Sequence, residues 1–305
     1  MSWYRSPLLC GVVAGAGLLC GAVWPQVFSP AASSGIGAGS GRPRRPDPHT
    51  AHLLDQARRA YDPHRVPWLK TDVWQRINLD DFAYQAEGTY LSGPDHRLRL
   101  DLAIRAGRVA GRVLAVSDGT TLWLWQRLGA NEPTVQKLAL ADIVRLLNQP
   151  GTNATVRERF YHSHPFAGVA PLLDGLRRQL TWTDHEEVLF RGRPAIRLSG
   201  TWSQRPAEAW PEGLPHDCAI VLDRQTLWPH RIEWRDPAPE GERVVVELEF
   251  RAPVFNQRPA ERLFAFQPGT ALVADCTAAW AACLTAPWPP SRPRSPVPDI
   301  LCPSN

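Results

Sequence analysis

Lysine is scarce in this sequence: of 34 lysines and arginines, only Lys70 and Lys137 are lysines. We attribute this bias to genome composition, because arginines selected for anion recognition would form a local cluster. The one close group, Arg42, Arg44 and Arg45, lies in a stretch rich in Ser, Gly and Pro. The net charge is +4 over 305 residues, without the clustered basic face that nucleic acid requires. We therefore expect no nucleic-acid partner.

Motifs for catalysis and cofactor binding are also lacking. Neither usual form of the Gly-rich phosphate loop occurs, and Ser199-Gly200 lacks the earlier glycine that a nucleophile elbow needs. The acidic pair Glu186-Glu187 would point to opposite faces of a strand. His162 and His164 have no third metal ligand at a recognised spacing. We therefore predict a protein that is not an enzyme, with no catalytic residues, no cofactor and no metal.

An apolar run from Leu8 to Val23 follows Arg5, and it can extend to Phe28. The run is typical of a signal-peptide core and short for a membrane span. Because the next basic residue is Arg42, the positive-inside rule predicts that the chain beyond the run is exported. We predict a signal peptide or N-terminal membrane anchor over residues 1–28, with residues 8–28 as the membrane segment. The predicted location is the periplasm or cell envelope.

The first part of the folded body changes from a helical to a two-residue period. A flexible linker over residues 29–50 precedes a predicted helix over residues 51–61. Four strands follow between Phe82 and Gln126, and Asp118-Gly119 is the strongest turn signal among them. The pattern predicts an antiparallel meander.

The last strand of this meander is apolar on both faces. Leu122 and Leu124 alternate with Trp123 and Trp125. Such a strand must be covered on both faces, or must offer one face to a partner.

The rest of the body adds two helices, over residues 138–147 and 169–180, and about six strands between Val188 and Phe266. So large a sheet is expected to curl. We predict an α+β fold over residues 51–270, a curved antiparallel half-barrel of about ten strands with helices over its concave face. Residues 271–305 are a Cys- and Pro-rich C-terminal tail.

Four segments, each a strand or hairpin with its turn residues, carry a family resemblance. They are Phe82–Leu91 with His96–Leu100, Val116–Gly119 with Leu122–Trp123, Cys218–Asp223 with Leu227–Pro229 and Arg231–Ile232, and Phe264–Pro268. Their order resembles that of the periplasmic outer-membrane lipoprotein carriers LolA and LolB and of LolA-like domains. The resemblance covers roughly residues 52 to 269.

The resemblance implies an open half-barrel whose ligand is an acyl chain, a lipid or a lipidated protein. Each methylene group taken out of water contributes about 0.8 kcal/mol, so no reactive group is needed. The candidate ligand-binding residues are apolar residues of the strands and of one helix: Leu98, Leu100, Leu102, Trp123, Trp125, Leu172, Leu176, Trp228, Ile232 and Trp234. The alternative for each residue is an ordinary core position.

Four cysteines lie beyond the N-terminal run, and an even number in an oxidising compartment predicts disulfides. Cys276 with Cys283 would close a small loop, and Cys218 with Cys302 would attach the tail. The alternative is that Cys218 is a buried free thiol in a strand.

Three functions follow from these patterns. The first is an exported carrier or binding protein for a hydrophobic ligand in the cell envelope. The second is a structural or interaction domain of the same fold that binds an envelope protein partner. The third is an unrecognised hydrolase, which double substitution of His162 and His164 would test.

Overall fold

A computed structural model describes residues 45–79, 82–150, 152, 157, 160, 168–202, 215, 217–238 and 241–285. The α-helices with described bounds are α1 (Pro48–Ala60), α2 (Leu140–Leu147), α3 (Val169–Gln179) and α4 (Thr277–Thr285). The strands, in chain order, are β1 (Leu69–Leu79), β2 (Phe82–Ser92), β3 (Arg97–Ala106), β4 (Val109–Asp118), β5 (Leu122–Leu128), β6 (Thr134–Leu138), β7 (Leu180–Phe190), β8 (Arg193–Trp202), β9 (Asp217–Asp223), β10 (Pro229–Ala238), β11 (Gly241–Phe255) and β12 (Val273–Asp275).

The twelve strands of the described residues form one open, curved sheet in the order β12-β6-β5-β4-β3-β2-β1-β11-β10-β9-β8-β7. Every neighbouring pair is antiparallel except β12 with β6. The pairing of β1 with β11 joins the first and second halves of the chain. The predicted α+β class and curved antiparallel sheet are confirmed.

The predicted number of about ten strands is wrong. The sequence pattern missed β1, β6 and the short β12, and it placed a strand over residues 263–266. The first two residues of that segment instead belong to a 3₁₀ helix over Glu261–Phe264. Strand β7 is also longer than predicted, because it begins at Leu180 directly after α3.

The turn after β4 has the predicted chemistry. The Asp118 carboxylate accepts hydrogen bonds from the backbone N–H groups of Thr120 and Thr121, both at 2.8 Å. Gly119 adopts a φ of +97° there, in the region that glycine enters without steric cost. This turn returns the chain as β5.

The register divides the sheet into two faces. Leu100 of β3 lies opposite Ala115 of β4, which in turn lies opposite Leu124 of β5. We call the face that carries these residues the inner face. The opposite face, which carries Asp101 and Trp125, is called the outer face. All four helices pack on the inner face, where their apolar residues and those of the strands form one core.

The C-terminal part of the sheet domain passes from one face to the other. Residues 256–275, here called the strap, begin with the Asn256 backbone N–H, which donates to the Trp68 carbonyl at 2.8 Å. The Phe266 ring then lies 5.5 Å from the Trp123 ring on the outer face. The strap ends in β12 at the sheet edge, and α4 follows on the inner face. Residues 271–285, which the sequence pattern places in the tail, are therefore folded onto the sheet.

Candidate ligand-binding face

The inner face is apolar over most of its width. On β3, Leu98, Leu100 and Leu102 are each at most 1% exposed. On β10, Ile232 and Trp234 are 0% and 3% exposed, and Ile232 lies opposite Leu248 of β11. Because alternate residues of every strand point to this side, the apolar surface continues from β5 to β8.

Eight of the ten predicted ligand-binding residues lie on this side of the sheet. Seven of them belong to the buried core: Leu98, Leu100, Leu102, Leu176, Trp228, Ile232 and Trp234. Leu172 of α3 is half-buried and packs against the same core. The structure therefore brings these eight together, and they are covered in the described conformation.

The other two candidates lie on the opposite face, which corrects their assignment. Trp123 lies opposite Val116 and Trp125 lies opposite Leu114, one residue out of phase with the inner-face positions. Both tryptophans are half-buried, and Phe266 of the strap packs on Trp123. The expectation that β5 is covered on both faces is thus met, by helices on one side and by the strap on the other.

Two of the four helices on the inner face, α1 and α2, show how it is covered. In α1, Leu54 and Ala57 are fully buried at helical spacing. In α2, Leu140, Ile143 and Leu147 occupy the corresponding positions, with at most 1% exposure. Each helix therefore depends on the sheet for most of its stability, since isolated helices of this length are marginal in water.

Helix α1 begins at a well-defined cap on edge strand β7. The Asp47 carboxylate accepts hydrogen bonds from the N–H groups of His49 and Thr50, and the Thr50 hydroxyl donates to it at 2.5 Å. His185 of β7 places Nδ1 3.0 Å from the same carboxylate, and the Asp47 N–H donates to the Trp182 carbonyl. The hydrogen bond from Thr50, with those from His49 and His185, lowers the pKa of Asp47 to about 2.

The other end of α1 is held by aromatic contacts. Tyr61 donates its hydroxyl proton to the Thr226 carbonyl at 2.7 Å. Its ring packs edge-on against Trp228, with 5.0 Å between the ring centroids. Arg58 also approaches Asp174 of α3 within 3.9 Å. Helices α1 and α3 therefore lie together over the second half of the sheet.

The outer face is polar where the inner face is apolar. Glu247 and Glu249 of β11 and Glu233 of β10 are buried there, although they carry charge. Arg231 lies within 3.2 Å of all three carboxylates. Burial alone would raise the pKa of Glu249, but hydrogen bonds from Arg231 and Arg251 outweigh it and hold that pKa below its usual value. This network compensates the buried charges.

The cysteines differ from their predicted pairing. Cys218 is a buried free thiol, so of the two alternatives for this residue the thiol in a strand is observed. Burial raises the pKa of this thiol well above its usual value, which keeps it protonated and unreactive. Cys276 is disulfide-bonded. The side chain of Cys283 and all of Cys302 lie outside the described residues.

The pairing of Cys276 with Cys283 does not fit helix α4. The Cys276 carbonyl already accepts the helical hydrogen bond from the Trp280 N–H, at 3.0 Å. The two cysteines are seven positions apart along the helix, a rise of about 10.5 Å. A disulfide joins Cα atoms only about 4.4–6.8 Å apart. The predicted loop is therefore incompatible with the described backbone.

No group of three metal-binding side chains occurs within the described part of the chain. Among these residues, no helix is long and apolar enough to cross a bilayer. The predicted leader over residues 1–28 lies outside the described residues, and so do His162 and His164.

The structure is similar to several solved structures at low sequence identity. The similarity to a DUF1329 family protein from Desulfovibrio piger covers 72% of this chain and 98% of that chain, with 10% identity and a TM-score of 0.30. For LprF from Mycobacterium bovis the shares are 73% and 100%, with 11% identity and a TM-score of 0.38. For a putative outer membrane lipoprotein-sorting protein domain from Vibrio parahaemolyticus they are 70% and 95%, with 10% identity and a TM-score of 0.25.

The sequence itself matches no protein-family model and no curated protein. The resemblance of the hairpin motifs to the lipoprotein carriers stays a prediction from the sequence.

Proposed function

We propose that this protein is a non-enzymatic carrier that holds an acyl chain of a lipid or lipoprotein between the inner face and helices α1 to α3. The observation that carries the proposal is the inner face, which is largely apolar, with Thr71 and Gln75 on β1 as buried polar exceptions, and is closed by helices too short to be stable alone. We propose that these helices lie over the concave side of the curved sheet. The leader predicted from residues 1–28 assigns the carrier to the cell envelope, where a lipidated protein or an envelope protein is its partner.

The free energies of burial favour replacement of a helix by a ligand on the inner face. Burying the side chains of Leu53 and Leu54 stabilises α1 on the sheet by about 3–6 kcal/mol together, at about 1.5–3 kcal/mol each. An acyl chain of about 15 methylene groups gains about 12 kcal/mol on burial, at about 0.8 kcal/mol per group. One chain therefore offsets the displacement of one helix, and no polar group of the ligand has to enter the core.

Quenching of tryptophan fluorescence by dibromostearic acid tests the proposal, because bromine quenches only rings that it contacts. We expect quenching in the unaltered protein and in the double variant Trp123→Phe/Trp125→Phe, whose sites are on the outer face. The double variant Trp228→Phe/Trp234→Phe removes two inner-face rings, so a substantial part of the quenching should be lost.

Circular dichroism must first show that both double variants are folded. Equal loss of quenching in the two variants, or no quenching of the folded parent, would contradict binding at the inner face. The latter result would favour the interaction domain, which needs no ligand-sized opening beneath its helices.

A further inference from the structure

Gln75 is a polar residue at the centre of the inner face. It belongs to β1, and the apolar surface extends over four strands on each side of that strand, to β5 in one direction and to β8 in the other. In the register of the sheet, Gln75 lies opposite Leu248 of β11 and Ala86 of β2. Val73 and Ile77, two positions away on β1, point to the same side and are buried. The four nearest inner-face positions are therefore apolar.

The amide group of Gln75 is incompletely hydrogen-bonded. The residue is 1% exposed, and its side-chain oxygen has no hydrogen-bond partner among the described residues. Thr71, the other buried polar residue of β1, differs because its hydroxyl donates to the Arg251 carbonyl. A buried polar atom without a partner is costly, and such atoms are rare in folded proteins. A hydrogen bond from a ligand would remove this cost.

The neighbouring strand leaves the amide accessible to a ligand that lies on the inner face. Ala86 of β2 is directly opposite Gln75, and Gly88 is opposite Val73. These two positions carry a single methyl group between them. A ligand atom can therefore approach the amide from the side of β2 without meeting a large side chain of that strand.

We propose that Gln75 selects an acyl chain that carries a hydroxyl group within the chain, and that its amide forms a hydrogen bond with this hydroxyl. The inference rests on the carrier function proposed above and names the class of its ligand. A hydroxyl group both donates and accepts hydrogen bonds, so it pairs with the amide in either orientation of the amide oxygen and nitrogen.

The apolar surroundings place the hydroxyl inside the chain and not at its polar end. A charged or strongly polar head group at Gln75 would be buried among Leu248, Val73 and Ile77, where it would lose its contacts with water. A hydroxyl within the chain has methylene groups on both sides, and these lie on the apolar surface that extends to both sides of β1.

Displacement of dibromostearic acid by stearic acid and by 12-hydroxystearic acid tests this selection. The two acids differ by one hydroxyl near the middle of the chain, and the readout is the recovery of tryptophan fluorescence. In a purely apolar site the hydroxyl would weaken binding, because it would lose its hydrogen bonds with water. We expect the parent protein instead to bind 12-hydroxystearic acid more tightly than stearic acid.

The variant Gln75→Met keeps the length of the side chain but has no amide. Its preference should shift toward stearic acid by at least about tenfold, the change in affinity that about 1.4 kcal/mol produces. Stearic acid itself should still bind this variant, which shows that the site is retained. Gln85→Met is the matched control. Gln85 is exposed on the outer face of β2, opposite Arg76, so this substitution should leave the preference unchanged.

Two results would overturn the selection by Gln75 and leave the carrier function standing. They are a parent protein that binds stearic acid more tightly, and a preference that Gln75→Met does not change. In either case the amide pairs with water and not with the ligand. If neither acid binds the folded parent, the carrier function fails, and the inference about Gln75 fails with it.

Discussion

Asp47 shows how one carboxylate can fix the start of a helix that covers the proposed ligand site. Its pKa is about 2 in the folded protein, against an ordinary value of 3.8. A group with a lowered folded pKa stabilises the fold above its unfolded pKa, and that contribution is lost as the pH falls through the folded value. The cap of α1 should therefore persist at pH 4 and loosen near pH 2.

We predict that the amide resonance of Thr50 titrates with a midpoint at about pH 2, measured by NMR. Asp47→Asn keeps an acceptor at the cap but has no ionisable group, so this titration should vanish in the variant. A midpoint near 3.8 in the parent would show that the hydrogen bonds from Thr50, His49 and His185 do not hold the carboxylate.

For individual residues of the candidate site, the sequence could predict only which residues of a strand share a face of the sheet. The leucines of β3 and the apolar residues of β10 follow a strict two-residue period, and they lie on the inner face as expected. Trp123 and Trp125 follow the same rule on β5, but their phase is set by the register with β4. An apolar pattern cannot tell which side of such a strand the helices cover, since both sides are apolar.

At the scale of the element, β10 and β11 combine an apolar inner side with a charged outer side. Arg231 is the common partner of Glu233, Glu247 and Glu249. Removing one partner of a buried ion pair is costly, because the remaining charge keeps its desolvation penalty. Arg231 links the three carboxylates, and each of them also has a second arginine partner: Arg235 for Glu233, Arg76 for Glu247 and Arg251 for Glu249.

We predict that Arg231→Met lowers the free energy of unfolding by about 1.5–3 kcal/mol at pH 7, measured by urea denaturation. The loss should be smaller at pH 4. Although Glu249 is buried, hydrogen bonds from Arg231 and Arg251 hold its pKa below the ordinary value of 4.5. The stability that its ionised form contributes is therefore lost as the pH falls below 4.5, and a protonated Glu249 no longer needs the arginine. A loss that does not change with pH would assign the effect to packing of the arginine stem instead.

Arg127→Met is the matched control for this variant. Arg127 is exposed and belongs to β5 on the same outer face. Its substitution should change the free energy of unfolding by no more than about 0.5 kcal/mol.

Other elements show where sequence patterns are insufficient. Strand β1 alternates as a strand should, but its inner positions include Thr71 and Gln75, which are polar and almost fully buried. Thr71 is accommodated by a hydrogen bond from its hydroxyl to the Arg251 carbonyl at 2.8 Å. Such compensation comes from a strand 180 residues away, and no local pattern reveals it. The position of the strap also depends on residues distant in sequence, because the strap contacts Trp68 and Trp123.

At the scale of the molecule, the helices cover the inner face of the sheet and the strap covers part of its outer face. The inner face has short helices that are held at a few points, whereas the outer face has an ion-pair network within its own strands and a strap on β4 and β5. If a ligand enters under the helices, the fraction of molecules with an open helix limits the rate of uptake, since only the open state can bind.

We predict that Leu54→Ala accelerates uptake of dibromostearic acid, measured by stopped-flow quenching of tryptophan fluorescence. Loss of this fully buried side chain weakens the contact between α1 and the sheet by about 2–5 kcal/mol. Each 1.4 kcal/mol corresponds to a tenfold change in the open population. We therefore expect the association rate to rise at least tenfold, until opening no longer limits it.

Val116→Ala separates a change at the helices from a general loss of stability. Val116 is fully buried, but it lies on the outer face of β4, opposite Trp123. Its substitution should lower the free energy of unfolding by about 1–3 kcal/mol and leave the association rate unchanged, because α1 does not contact that face. If both variants accelerate uptake equally, the ligand enters through global unfolding. If neither does, α1 is a fixed part of the core and does not open to admit an acyl chain.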